Sequence, residues 1–183
     1  MNDDPRAIWT RCWQGLMDAV DDAAHPWRSP VLATTGLDGG AEARLVVLRE
    51  ACRDRAVIGA QTDLASPKVA ELRAEPRATF LFWDPQTQVQ LRARVDMKVI
   101  AGTELNAVWA AMPEVARLNY GNRPAPGTPI ETPEDHDRTA DRERFAVLTG
   151  HVVSLDVVDL SLDPHLRAVF DRGDGFQGKW LAP

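Results

Sequence analysis

Lysine is nearly missing from this chain: Lys68, Lys98 and Lys179 stand among 21 basic residues. Tyrosine occurs once, as Tyr120, and cysteine twice, as Cys12 and Cys52 in unrelated segments. Two cysteines without paired spacing build no disulfide framework, so a reduced, cytoplasmic setting is expected. A basic excess is missing as well. The formal charge of −6 excludes the electrostatic footprint of a general nucleic-acid binder. No apolar run approaches the ~20 residues that cross a bilayer. The opening Met-Asn-Asp-Asp-Pro lacks the basic-then-apolar order of a secretory leader. His25, His136, His151 and His165 fall at no metal-ligand spacing, so no metal site is expected. Neither a Gly-x-Ser-x-Gly elbow, a Walker loop nor a Gly-x-Gly-x-x-Gly fingerprint occurs.

What is present suits one globular domain over residues 1–183, with 44% hydrophobic and 26% charged residues. Ile8, Trp9, Cys12, Trp13, Leu16, Met17 and Val20 recur at helical spacing, which predicts a helix over 6–23, ended by Pro26 and Pro30. Val31 to Thr35, the Gly36-Leu37-Asp38-Gly39-Gly40 turn and a strand over 42–49 read as a hairpin. Further strands are expected near 55–61, 78–83 and 89–95, with helices near 66–74 and 103–112. Residues 121–135, rich in Gly and Pro, read as a long loop, and 145–160 and 166–182 as a last β region. Many closely spaced strands with few helices imply a mainly β fold, a barrel with helical additions.

The chemistry concentrates in two segments. One is the strand Ala43-Arg44-Leu45-Val46-Val47-Leu48-Arg49; the other is Thr62-Asp63-Leu64-Ala65-Ser66-Pro67-Lys68. Arginine offers a planar fork to phosphate and lysine a movable point charge. A helix begun by Ser66 and Pro67 adds free N–H groups and a dipole that favours an anion. Lys68 in a first turn opposes that dipole unless an anion sits there. Arg44 and Arg49, five apart, face opposite sides of a regular strand. Either one of them grips the phosphate, or the strand twists or bulges. Gln88 and Gln90 read as strand positions whose amides match the polar edge of a flavin. Trp109, Arg117 and Tyr120 are candidates for an aromatic pocket, although such residues often serve the core.

In order, these segments resemble the pyridoxamine 5′-phosphate oxidase-like family of FMN-binding split β-barrels. Arg44–Arg49 is similar to its Arg-x-Val-Leu-Leu-Lys strand, and Thr62–Lys68 with Glu71-Leu72 to its Thr-Asn-x-x-Ser-Arg-Lys-x-x-x-Leu segment. Pro76-Arg77-Ala78, Trp83, Gln88-Val89 and the terminal Asp174-Gly175-Phe176 to Leu181-Ala182-Pro183 follow in family order. The resemblance implies FMN at a homodimer interface. Arg44 and Lys68 would hold its phosphate with Thr62 and Ser66 nearby. Leu45, Val46, Val47 and Gln61 would adjoin the flavin, and Gln88 would bond the ring. Arg49 matches a substrate-side lysine, joined there by Trp109, Arg117 and Tyr120. Departures fall on the substrate side. Trp109, Pro113 and Arg117 replace tyrosine, arginine and serine, and Leu166-Arg167-Ala168 replaces Arg-x-His. Val157 replaces a flavin-site tryptophan and Pro67 an arginine. The implied function is an FMN-dependent oxidoreductase acting on another small molecule. The alternatives are a pyridoxamine or pyridoxine phosphate oxidase and a flavin-binding module without turnover.

Overall fold

The computed structural model describes residues 4–183. Helix α1 (Pro5–Asp21) starts at Asp4, whose side chain accepts the Arg6 N–H, and buries Ile8, Cys12, Trp13, Leu16 and Ala19. Its stripe meets a core that includes Leu32, Phe80, Phe82, Leu91 and Phe170. Full burial of each large apolar side chain contributes roughly 1.5–3 kcal/mol. Hydrophobic periodicity therefore becomes the main packing contact of the helix.

Among the described residues nine strands form one antiparallel sheet: β1 (Val31–Thr35), β2 (Ala41–Leu45), β3 (Leu48–Cys52), β4 (Val57–Asp63), β5 (Arg77–Asp84), β6 (Val89–Ala101), β7 (Phe145–Asp159), β8 (Leu166–Asp171) and β9 (Lys179–Leu181). The main path runs β2-β1-β5-β6-β7-β4-β3, with β8 and β9 branching from β7. Strand β7 makes the branch possible because it is long. Its Phe145–His151 stretch pairs with β4, and Ser154–Asp159 pairs with β8. The strands of one edge of β7 therefore diverge, which is the split in the barrel.

The strand expected over 42–49 is two strands. Only Val46 and Val47 separate β2 from β3, which lie at opposite ends of the sheet path. Two residues span roughly 7 Å, so the sheet must curl until its ends meet. Pro30 explains the break: its carbonyl accepts the Val46 N–H at 3.0 Å, but it has no N–H to extend the ladder. Strand β6 runs past the expected 95 to Ala101, its inward residues continuing to Met97. The helix expected over 103–112 is a 3-10 turn, Thr103–Leu105, followed by α3 (Asn106–Ala111). Helix α2 (Pro67–Ala74) follows β4, and the short α4 (Glu114–Arg117) follows Pro113. Among the described residues no helix is long and apolar enough to cross a membrane.

Candidate functional site: a cationic cleft at the barrel seam

Where the sheet's two ends meet, a cleft of about 480 Å³ opens. Arg44, Leu45, Val46, Val47 and Arg49 form one lip; Gln61, Thr62, Ser66 and Lys68 form the other. Both arginines reach the same cleft because the chain changes strand at Val46-Val47, bringing opposite strand faces to one place. Leu45 is 69% exposed and Val47 39%, so the lip is apolar as well as cationic.

The cations differ in their partners. Arg44 donates to Glu71 Oε2 at 2.9 Å and to Thr34 Oγ1, while Thr34 itself donates to Glu71 at 2.6 Å. That triad fixes the guanidinium over β1 and α2. Half-buried Lys68 has only hydroxyl partners, Thr62 Oγ1 at 3.3 Å and Ser66 Oγ. Among the described residues, no ion pair includes it. Burial and the nearby Arg44 charge push its pKa below the usual lysine range. Ser66 begins α2 without capping it through its side chain, so its hydroxyl faces the lysine instead. A half-buried cation, a second cation and two hydroxyls at a helix start form the donor set a phosphate needs. The residues present fit a phosphorylated cofactor.

Asp63, which occupies the asparagine position of the resembling pattern, anchors the next layer. Its buried carboxylate accepts the Ala65 N–H at 2.8 Å, the Gly121 N–H at 2.8 Å and Arg144 Nε at 2.9 Å. Gly121 has φ +126, and an added Cβ would lie 2.4 Å from the Thr139 carbonyl, so only glycine fits that anchor. Anchored there, buried Tyr120 lines the cleft and donates to Gln61 Oε1 at 3.3 Å. Burial raises its phenol pKa, against the opposing charge of Arg49.

Trp109 and Arg117 do not line the cleft. Trp109 stands behind Tyr120, ring centroids 6.3 Å apart, and packs on Phe145. Arg117 lies over the Trp109 ring and donates to the Ala110 carbonyl at 2.9 Å. Gln88 also lies outside the cleft. It is an exposed turn residue with φ +54, before β6 begins. The Asp84 carboxylate accepts the Gln86 and Thr87 N–H groups and so extends the turn expected at Asp84-Pro85-Gln86 through Gln88, which was expected on the strand. Sequence reasoning also overlooked Ser29, Asp63, Asn119 and Pro126, which line the cleft, and Thr34, which helps hold Arg44. Asp63 was signalled by its place between Thr62 and Ser66; the others carried no local signal.

Fold and cleft together define a split-barrel protein with a cationic cleft at its seam. Residues 7–101 match the family model described as the pyridoxamine 5′-phosphate oxidase, FMN-binding domain. The chain belongs to that family, whose cofactor is FMN. It is 36% identical over 103 residues to a pyridoxine/pyridoxamine 5′-phosphate oxidase of Thermosynechococcus vestitus, covering 56% of this chain and 47% of that protein. A second oxidase of that name, from a Nocardioides species, is 32% identical over 118 residues, covering 63% and 52%. The chain thus spans about half the length of the curated relatives it matches. Among solved structures, a pyridoxamine 5′-phosphate oxidase-related, FMN-binding protein from Nostoc punctiforme superposes with TM-score 0.77 at 24% identity, covering 96% and 97% of the two chains. PhzG from Burkholderia lata, solved with tetrahydrophenazine-1-carboxylic acid, gives 0.74 at 15% identity, covering 100% and 94%. These two show the same fold.

Proposed function

We propose that this chain is an FMN-dependent oxidoreductase acting on a small molecule, with FMN held in the seam cleft. Lys68 carries the reading: a half-buried ammonium beside Arg44, with neutral partners alone. A phosphate there reverses the unfavourable burial of that charge. Arg44 supplies a positioned fork, Ser66 and Thr62 supply hydroxyl donors, and Leu45 and Val47 offer apolar contact to the ring. When bound, FMN supplies hydride acceptance from a donor and reoxidation by an acceptor such as dioxygen. Tyr120, Gln61 and Arg49 shape the neighbouring space, and Arg49 favours an electron-rich substrate group. Two copies assemble, covering exposed Leu45 and Val47, and the partner copy brings its own Gln88 turn to the flavin.

Oxidation of pyridoxine or pyridoxamine 5′-phosphate is the second reading, favoured by the names of the curated relatives. Against it, the family match ends at Ala101, before the substrate-side segment begins. Arg117 is also occupied by Ala110 and Trp109, leaving Arg49 as the substrate-side cation lining the cleft. FMN titration of the apoprotein, followed by flavin fluorescence, tests the cofactor site. Arg44→Ala is expected to weaken binding at least about tenfold, since charge-assisted hydrogen bonds contribute ~1.5–3 kcal/mol. An unchanged dissociation constant removes Arg44 from the site. Saturable formation of pyridoxal 5′-phosphate would favour the second reading; none is expected.

A further inference from the structure

The chain between Tyr120 and β7 has a pinned neck and an untethered tip. At the neck, Arg123 and Asp137 exchange two backbone hydrogen bonds, at 3.0 and 2.8 Å. Next to them, Thr139 Oγ1 donates to the Gly121 carbonyl at 2.8 Å and the Asp141 N–H to the Tyr120 carbonyl at 2.8 Å. The Gly121 N–H and Arg144 both reach the Asp63 carboxylate. Both arms of the neck are therefore fixed to the end of β4.

The tip, residues 124–136, has no such ties. Among the described residues its hydrogen bonds all stay within it. The Thr128 N–H donates to the Ala125 carbonyl at 3.1 Å, the Asp135 N–H to the Thr132 carbonyl at 3.1 Å and the Thr132 N–H to Asp135 Oδ2 at 2.8 Å. His136 Nδ1 meets the Pro133 carbonyl at 2.7 Å. No ion pair among the described residues includes the tip. Residues 127–136 are exposed throughout. A hollow of about 350 Å³ is lined by residues 122–136 alone, so no side chain of the barrel fills it. Segments with so few contacts to the body open locally while the fold stays intact.

This loose tip meets the cleft through its stiffest part. Ala125-Pro126-Gly127-Thr128 is a tight turn with proline second and glycine third, the glycine at φ +87. Pro126 lines the seam cleft, and a Cβ added at Gly127 would lie 3.1 Å from Pro67 Cγ. A rigid turn thus rests on the first residue of α2, beside Ser66 and Lys68, without a hydrogen bond to hold it there. We propose that the Pro126-Gly127 turn is a flap that swings on the Arg123–Asp137 neck. It opens to admit the cofactor and closes over the phosphate end of the cleft, setting how fast the cofactor leaves. The flap rests on the reading of the seam as the FMN site. Contacts added by closure after capture slow release more than they change association.

The test compares the full chain with a variant in which Gly-Ser-Gly-Ser replaces residues 125–135 and the neck is kept. FMN release is followed by flavin fluorescence after rapid dilution, and association by mixing FMN with apoprotein. The shortened variant is expected to release FMN at least about tenfold faster, with association changed less than about threefold. Gly127→Ala keeps the full loop but strains the turn and presses on Pro67, and is expected to speed release at least about threefold. Glutamyl endopeptidase supplies a second readout. Cutting after Glu131 and Glu134 is expected to slow at least about tenfold when FMN saturates the full chain. Release unchanged in both variants, or cutting at those two residues unaffected by bound FMN, overturns the flap and leaves the FMN site standing. A full chain that binds no FMN overturns both.

Discussion

Two basic clusters in this barrel use similar residues to opposite ends. On the β6–β7–β8 surface, Arg92 and Arg167 both donate to Asp156, at 2.5 and 2.8 Å to Oδ2. At the seam, Arg44 and Lys68 stand side by side, and the lysine has hydroxyls alone for partners. The pKa shifts follow the partners. Hydrogen bonding to Asp156 raises that of Arg167, whereas burial and a neighbouring cation lower that of Lys68. The first cluster is complete as folded. The second leaves its lysine without an ion pair among the described residues. Counting arginines could not have separated them; the position of the carboxylates does.

The sharpest way to break this contrast is to remove the carboxylate that anchors the layer behind the seam. Asp63→Ala strands Arg144 and the N–H groups of Ala65 and Gly121, and is expected to cost about 3–5 kcal/mol in urea unfolding. Next, Lys68→Ala is expected to weaken FMN binding by roughly 10–100-fold while leaving the apoprotein no less stable, because it deletes an unpaired buried charge. A loss of apoprotein stability would show that Lys68 is a structural cation like Arg167. Alkaline pH sharpens the same point. With its folded pKa depressed, Lys68 binds fewer protons in the folded chain than in the unfolded one. Apoprotein stability should therefore rise as pH climbs through the folded pKa toward the ordinary 10.5. The rise should vanish in Lys68→Met and flatten when FMN is bound. Tyr120, whose pKa is raised, acts in the other direction above pH 10, so the measurement belongs below that value. The smallest effect is expected at the completed cluster: Arg92→Ala should change stability by less than about 1 kcal/mol and FMN affinity not at all.

Much of the barrel could be read from period alone. Alternation in Val89–Val95 marked an inward face, and the α1 stripe marked its buried residues. Leu45-Val46-Val47-Leu48 offered no alternation, and there one expected strand proved to be two. That Arg44, Thr62, Ser66 and Lys68 share one cleft was legible because they lie in two short segments. The cleft's supports were not. Thr34 and Glu71 are 37 residues apart and Asp63 and Arg144 are 81 apart, distances that only the curled sheet closes. Arg117 and Gln88 mark the same limit: residue type suggested a ligand, while tertiary partners and a turn took each residue out of the single-chain cleft.

The two-residue connection between β2 and β3 bears on how this protein comes apart. Sheets usually fray independently from their outermost strands, the regions of lowest local stability. Here the outermost strands are consecutive in the chain, so loosening one pulls on the other. A ligand bridging Arg44 and Lys68 ties that junction to α2. Amide exchange should therefore slow together in β2 and β3 on cofactor addition, as one cooperative unit spanning both ends of the sheet.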